Sequence, residues 1–275
     1  MINLIVALQC EAKPLIRHYG LTGHNVAGGY RLYQNRTMQL IVSGVGPAAS
    51  AAAVALLFGM TGQVMHALWL NVGVAGRAGR ALGTPMLAHK ITDVAAGRCW
   101  YPPRVFDAPC ETAHLCTVAR AEERYDGDKA FDMEASGFYA AANRFATAEL
   151  VQVLKVVSDN DASGPANVSA ELVEALVAES LPVLDALIAA LTPLAVQVVR
   201  LTEAPRYFDE CVERWHFTVS QQHRLTELLR RWQALAPDEH PLPGGGPPLR
   251  QAGDVLAALA ARLDQQPVGW APDRD

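Results

Sequence analysis

The sequence predicts an α/β fold, a mixed central sheet flanked by helices, followed by a C-terminal helical extension. Short, near-continuous apolar runs recur, as strands covered on both faces require, and each exits into glycine or acidic residues. Between them lie Ala-rich segments with helical spacing. The chain has 275 residues, 51% hydrophobic and 19% charged, which allows one large core or a core plus an appendage.

Ile2, Leu4, Ile5, Val6 and Leu8 mark the first strand, with Glu11 just beyond it. Leu40, Ile41 and Val42 make a second, which enters the turn SGVGP and then an Ala-rich helix. HALWLNVGVAGRAG carries a third into closely spaced glycines. These exits are expected to meet over one edge of the sheet, where open α/β folds bind ligands. Residues 84–119 resist assignment because polar residues and Pro interrupt short apolar runs, and WYPP at 100–103 suits either a rigid lid or a surface excursion. AFDMEASGFYAAANRF starts a helix near Glu134, with Phe138, Ala142 and Phe145 on related positions. LVQVLKVVSDNDASGP is a further apolar strand ending at Ser158, Asp159, Asn160 and Asp161.

A helix is expected over 172–191, from the pairs Leu172/Leu176 and Val173/Val177 and the face Leu184, Leu187, Ile188 and Leu191, with a strand after it. It closes a first domain, residues 1–192. Residues 193–275 form the extension. There Thr218 and Gln221 fit a capping box ahead of the stripe Leu225, Leu228, Leu229 and Trp232, and a Pro/Gly linker near 238–248 precedes a last helix at 251–263.

A formal net charge of −5 offers no generally cationic surface, so no nucleic-acid partner is expected. The five cysteines are too sparse for a disulfide scaffold and fit a reducing compartment. MINLIVALQCEAKPL lacks the basic start of a signal peptide, and LPVLDALIAALTPLAVQVV carries Asp185 and Pro193. A cytoplasmic protein with no membrane span is therefore expected. Cys99, Cys110, His114 and Cys116 lack zinc spacing, and neither a metal nor a redox cofactor is expected.

The chemical constellation is Glu11, Glu134 and Asp159, with glycine-bearing turns at 43–46 and 73–76. A parallel sheet can gather acids from separate strand exits, so that one activates water while another protonates a leaving group. That division requires different environments for the two. Each residue also has a plainer use: Glu11 and Glu134 suit helix starts, and Asp159 suits a turn where Asp161 competes with it. Met133 suits core packing. Gly44, Gly46, Gly73 and Gly76 permit close backbone approach, unusual turns and N–H contacts to a ligand, and equally serve ordinary strand-to-helix geometry.

Taken in order, IVALQCEAKPL, SGVGPAAS, NVGVAG, FDMEASG and VVSDNDA make the chain resemble the purine nucleoside phosphorylase and methylthioadenosine/S-adenosylhomocysteine nucleosidase superfamily over residues 1–192. The resemblance implies a nucleoside phosphorylase-like fold and a homodimer acting on a purine nucleoside. It implies Glu11 as the general base for water and Glu134 on the ribose hydroxyls with Met133 against the sugar. Asp159 would share a proton with purine N7, oriented by Ser158. The Arg-bearing GDP loop of hexameric phosphorylases is missing, which favours hydrolysis, closer to the nucleosidase-like branch. Phosphate stays open as a co-substrate, with Arg17, Arg31, Arg36 and Arg77 as its candidate contacts, so a phosphorylase is the alternative enzyme. A catalytically weak purine-binding or interaction protein is the other alternative. Trp100, Tyr101, Phe106 and Tyr125 are the candidates for a base-facing aromatic.

Overall fold

The apolar runs pair into a single sheet in the computed structural model, which describes residues 1–60, 66–122, 124–125, 127–242 and 249–266. In chain order its strands are β1 (Ile2–Val6), β2 (Thr22–Asn25), β3 (Arg31–Gln34), β4 (Met38–Val42) and β5 (Leu68–Arg77). They continue with β6 (Pro85–Asp93), β7 (Arg98–Trp100), β8 (Glu111–Thr117), β9 (Lys129–Asp132) and β10 (Val151–Asp159). The order is β10-β6-β8-β9-β5-β1-β4-β3-β2, with β7 on β6. Because β10 also pairs with β5, five strands close into a ring while β1 to β4 fan out from it. The sheet is mixed. β1 runs parallel to β4 and β5, and β10 runs parallel to β5, whereas β9 meets β5 antiparallel.

Both faces are covered. On one, α2 (Pro47–Met60) and α3 (Ala135–Ala142) bury Val54, Leu57 and Phe138 against Ile5, Ile41 and Trp69. On the other, α1 (Gln9–Tyr19), α4 (Ala170–Glu179) and α5 (Leu181–Thr202) bury Leu15, Val173 and Leu187 against Leu4, Leu40 and Leu70. Each such aliphatic side chain contributes about 1.5–3 kcal/mol. This two-sided demand explains why β1, β4, β5 and β10 read as continuous apolar runs. A Cβ on Gly137 would lie 1.9 Å from the Pro47 carbonyl oxygen, so only glycine allows α3 to approach the start of α2 so closely.

The chain between 84 and 119, unassigned from sequence, holds β6, β7 and β8, whose polar outward positions break the apolar pattern. The helix expected over 172–191 is two helices. They divide at Ser180, whose hydroxyl donates to the Val177 carbonyl at 2.8 Å. No strand follows Pro193; α5 continues to Thr202. Pro193 deprives one carbonyl a turn back of its partner, and both Pro193 and Ala189 are exposed, so water can replace the lost bond. The chain accordingly divides into Met1–Arg200 and Leu201–Asp275, later than residue 192. By length and composition α5 could cross a membrane, with mean hydropathy 1.8 over Leu181–Arg200. Here it buries Leu184, Leu187 and Leu191 in the core, and its Asp185 accepts from the Tyr19 hydroxyl at 2.7 Å.

The second unit has its own core. α6 (Phe208–Arg214), α7 (Val219–Leu235) and α8 (Ala252–Asp264) enclose Leu225, Leu228, Trp232, Val255 and Leu259. The expected capping box forms at Thr218 and Gln221. Residues 243–248 of the expected linker lie outside the described residues.

Candidate active site

Strand register builds the site. Along β5 and β10, Lys155 stands opposite Gly73 and Asp159 opposite Gly76, with an irregularity between Val157 and Asp159. At both places the glycine leaves room for side chains. A Cβ on Gly73 would lie 2.6 Å from Glu11 Oε1 and 3.3 Å from Lys155 Nζ, and one on Gly76 would lie 2.5 Å from Asp159 Oδ2. Gly44 and Gly46 serve differently, turning the chain at φ 84° and 108°, where side chains are disfavoured. Ser43 ties that turn to β1, donating its hydroxyl to the Val6 carbonyl at 3.1 Å.

At the first end of the site, Glu11 lies in the opening turn of α1, and its carboxylate folds back onto backbone donors. Oε2 accepts from Ala7 N–H at 2.8 Å and Leu8 N–H at 2.9 Å, while Oε1 accepts from Val74 N–H at 3.1 Å. Its helix-start role and its place beside Gly73 thus coincide. Glu134, at the N-cap of α3, accepts from Gly46 N–H at 3.2 Å. Asp132, at the end of β9, accepts from Ala135 N–H at 2.8 Å and the Thr117 hydroxyl at 2.8 Å, fixing the start of α3.

Lys155 sits among these acids, its Nζ 3.1 Å from Asp132 Oδ2 and 3.6 Å from Glu134 Oε2. Sequence reasoning missed both Lys155 and Asp132. The available signal was a single Lys inside the apolar strand VQVLKVV, since a charge can be buried there only with partners.

Three buried carboxylates thus face one ammonium. Burial pushes Glu11 above its ordinary value, with Lys155 opposing and the Glu134 charge adding to the rise. Glu134 is likewise pushed up by burial and by Asp132, against the pull of Lys155. Burial disfavours the Lys155 ammonium, but the charges of Asp132, Glu134 and Glu11 outweigh it and hold the group protonated. Glu11 is therefore a stronger base than a solvated glutamate, as proton abstraction near neutral pH requires.

At the second end, the buried Asp159 is held by two hydroxyls: Ser158 donates to Oδ1 and Tyr125 to Oδ2. Burial, then the bond to Asp159, raises the Tyr125 pKa and keeps it a donor. Lys155 and Asp159 lie four residues apart on β10, opposite Gly73 and Gly76. The acids of the expected constellation gather at two places, or poles: Glu11 and Glu134 by Lys155, and Asp159 with Ser158 and Tyr125. Asp161 turns away and accepts from Gly79 N–H at 2.9 Å. Met133 lies half-buried between Asp132 and Glu134 in the chain.

Of the candidate aromatics, Tyr125 alone is brought to Asp159: Tyr101 is 66% exposed, Trp100 lies under Arg98, and Phe106 packs on the core. Arg17 pairs with Glu174 at 2.6 Å, and the buried Arg77 pairs with Glu111 and Asp128. Among the described residues no group of three or more His, Cys, Asp or Glu side chains gathers as metal ligands.

A mixed sheet partly closed on itself, covered by helices and carrying acids at its parallel strand exits, defines the nucleoside phosphorylase-like fold class. Solved structures give the nearer comparison. The 5′-methylthioadenosine/S-adenosylhomocysteine nucleosidase from S. pneumoniae, solved with a transition-state inhibitor, superposes with TM-score 0.55 at 23% identity, covering 69% of this chain and 99% of that one. The corresponding nucleosidase from Helicobacter pylori gives 0.56 at 17% identity, covering 68% and 97%. The futalosine hydrolase of Helicobacter pylori gives 0.56 at 16% identity, with the same coverage. No family model matches the chain, and no curated protein matches it in sequence.

Proposed function

We propose that the chain hydrolyses the N-glycosidic bond of a purine nucleoside, methylthioadenosine-like or another adenosine derivative. The carrying observation is that Glu11 lies against Gly73 and Asp159 against Gly76, two places along the paired strands β5 and β10. A water-activating carboxylate belongs at the sugar, and a proton donor belongs at the departing base. Glu11 takes a proton from water as its oxygen attacks the anomeric carbon. The bond to the base breaks, its electron pair leaves with the purine, and N7 takes a proton from the Asp159 carboxyl. Glu134 binds the ribose hydroxyls and, as an anion beside Lys155, stabilises the positive charge that develops on the sugar. Met133 packs against that sugar and Ser158 orients Asp159.

Hydrolysis is preferred to phosphorolysis because two of the four candidate phosphate contacts, Arg17 and Arg77, are engaged in ion pairs. No cofactor enters this chemistry. A cytoplasmic homodimer accompanies the reading. The homodimer within it draws on α2, which carries no charged residue and ends on the exposed Met60, with exposed Val45 just before it. The test is a product-resolved screen of purine nucleosides with and without phosphate. Free base and free sugar without phosphate support the reading, and strict phosphate dependence with a sugar 1-phosphate product overturns it.

A further inference from the structure

The outer oxygen of Asp159 already has a partner. The Tyr125 hydroxyl donates to Oδ2 while Ser158 holds Oδ1, so both carboxylate oxygens are engaged by side chains of the chain itself. The tyrosine ring lies over Gly76, where an added Cβ would come within 2.6 Å of Cε1. Its other flank faces Phe131, with ring centroids 6.3 Å apart. Gly76 thus makes room for two groups at once, the acid and the phenol. Tyr125 is only half-buried, in a segment between β8 and β9.

We infer that Tyr125 lowers the affinity of the site for a base by competing with the purine for Asp159, and this rests on the reading of Asp159 as the base-binding acid. A base can reach Oδ2 only by replacing the phenol hydrogen bond. The exchange is neutral only once the departing base holds the proton that Asp159 gave it, because its N–H then returns a donor to the carboxylate. A ring without such a donor leaves a buried carboxylate oxygen unpaired, which is costly. The tyrosine therefore weakens the binding of any base by the bond that must be broken, and only a base with N–H in that place regains it from Asp159.

The test is calorimetric binding of adenine and 7-deazaadenine to the full chain and to its Tyr125→Phe and Asp159→Asn variants. Removing the hydroxyl frees Oδ2, so Tyr125→Phe should bind adenine roughly tenfold more tightly, the worth of one hydrogen bond to a charged group. A tyrosine needed to hold the segment or to stack on the base would give the opposite or no change. Unchanged or weaker adenine binding in Tyr125→Phe, with the preference for adenine over 7-deazaadenine present in the wild type and lost in Asp159→Asn, overturns this inference alone. No adenine binding in wild type and Tyr125→Phe, or a preference indifferent to Asp159→Asn, overturns the base-site reading and the inference with it.

Discussion

Replacing Lys155 with Met removes the ammonium beside three buried carboxylates while keeping a side chain of similar length. At separations of 3.1 and 3.6 Å to Asp132 and Glu134, each attraction is about 5 kcal/mol at an effective dielectric of 20. Desolvation offsets much of that sum, and losing one partner of a buried pair costs about 3–5 kcal/mol. For a unit of this size that lowers the unfolding midpoint by roughly 6–20 °C.

The loss should depend on pH. Burial already holds Glu11 and Glu134 above the ordinary 4.5. Acids raised in the folded state contribute stability that is fully present below pH 4.5 and is lost as pH rises through their folded values. Without Lys155 those values rise further, so the deficit of Lys155→Met should be larger at pH 8 than at pH 5. Lys155→Arg, which keeps the charge, should recover most of it. Thermal unfolding of the three proteins at both pH values is the assay. An Lys155→Met deficit that is absent, or equal at pH 5 and pH 8, would refute the assignment of Lys155 as the counter-charge of this cluster.

Gly73→Ala drives a Cβ to 2.6 Å from Glu11 Oε1 and should cost at least a hundredfold in kcat/KM, with stability reduced by only about 1–3 kcal/mol. Steady-state kinetics beside urea unfolding separates the two effects. The acid limb of kcat/KM should lie above pH 4.5, because Glu11 is raised by burial and has to be deprotonated to accept the proton of water. A limb at or below that value contradicts Glu11 as the base. Trp232→Ala should cost the second unit about 3–5 kcal/mol, since the indole is buried there and its N–H donates to the Glu239 carbonyl at 2.9 Å. Proteolysis should then cut after residue 200 while nucleoside turnover persists.

The sheet was legible because its central strands are apolar on both faces, and the C-terminal helices because Thr218 and the stripe ending at Trp232 spell out a cap and a buried face. Register was not legible. Nothing in the spacing of Gly73 and Gly76 reveals that β10 sets Lys155 against the first and Asp159 against the second. For that reason the sequence places the three acids at the strand exits without showing how they divide along β10. Tyr125 was one of four aromatic candidates, and only the fold carries its hydroxyl to Asp159. The α5 boundary was misplaced because Pro193 reads as a helix end, a rule relaxed where the freed carbonyl faces water.

The central claim is that Asp159 serves the departing base while Glu11 serves the attacking water at the other pole. A substrate pair isolates those roles: an adenine nucleoside, whose base leaves readily only when protonated, and p-nitrophenyl riboside, whose phenolate leaves without a proton. Asp159→Asn should lose about 10²–10⁴-fold in turnover on the nucleoside and stay within severalfold of wild type on the nitrophenyl substrate, whereas Glu11→Gln should lose on both. Equal losses on the two substrates for Asp159→Asn, or an unimpaired Glu11→Gln, would contradict the division of labour between the poles.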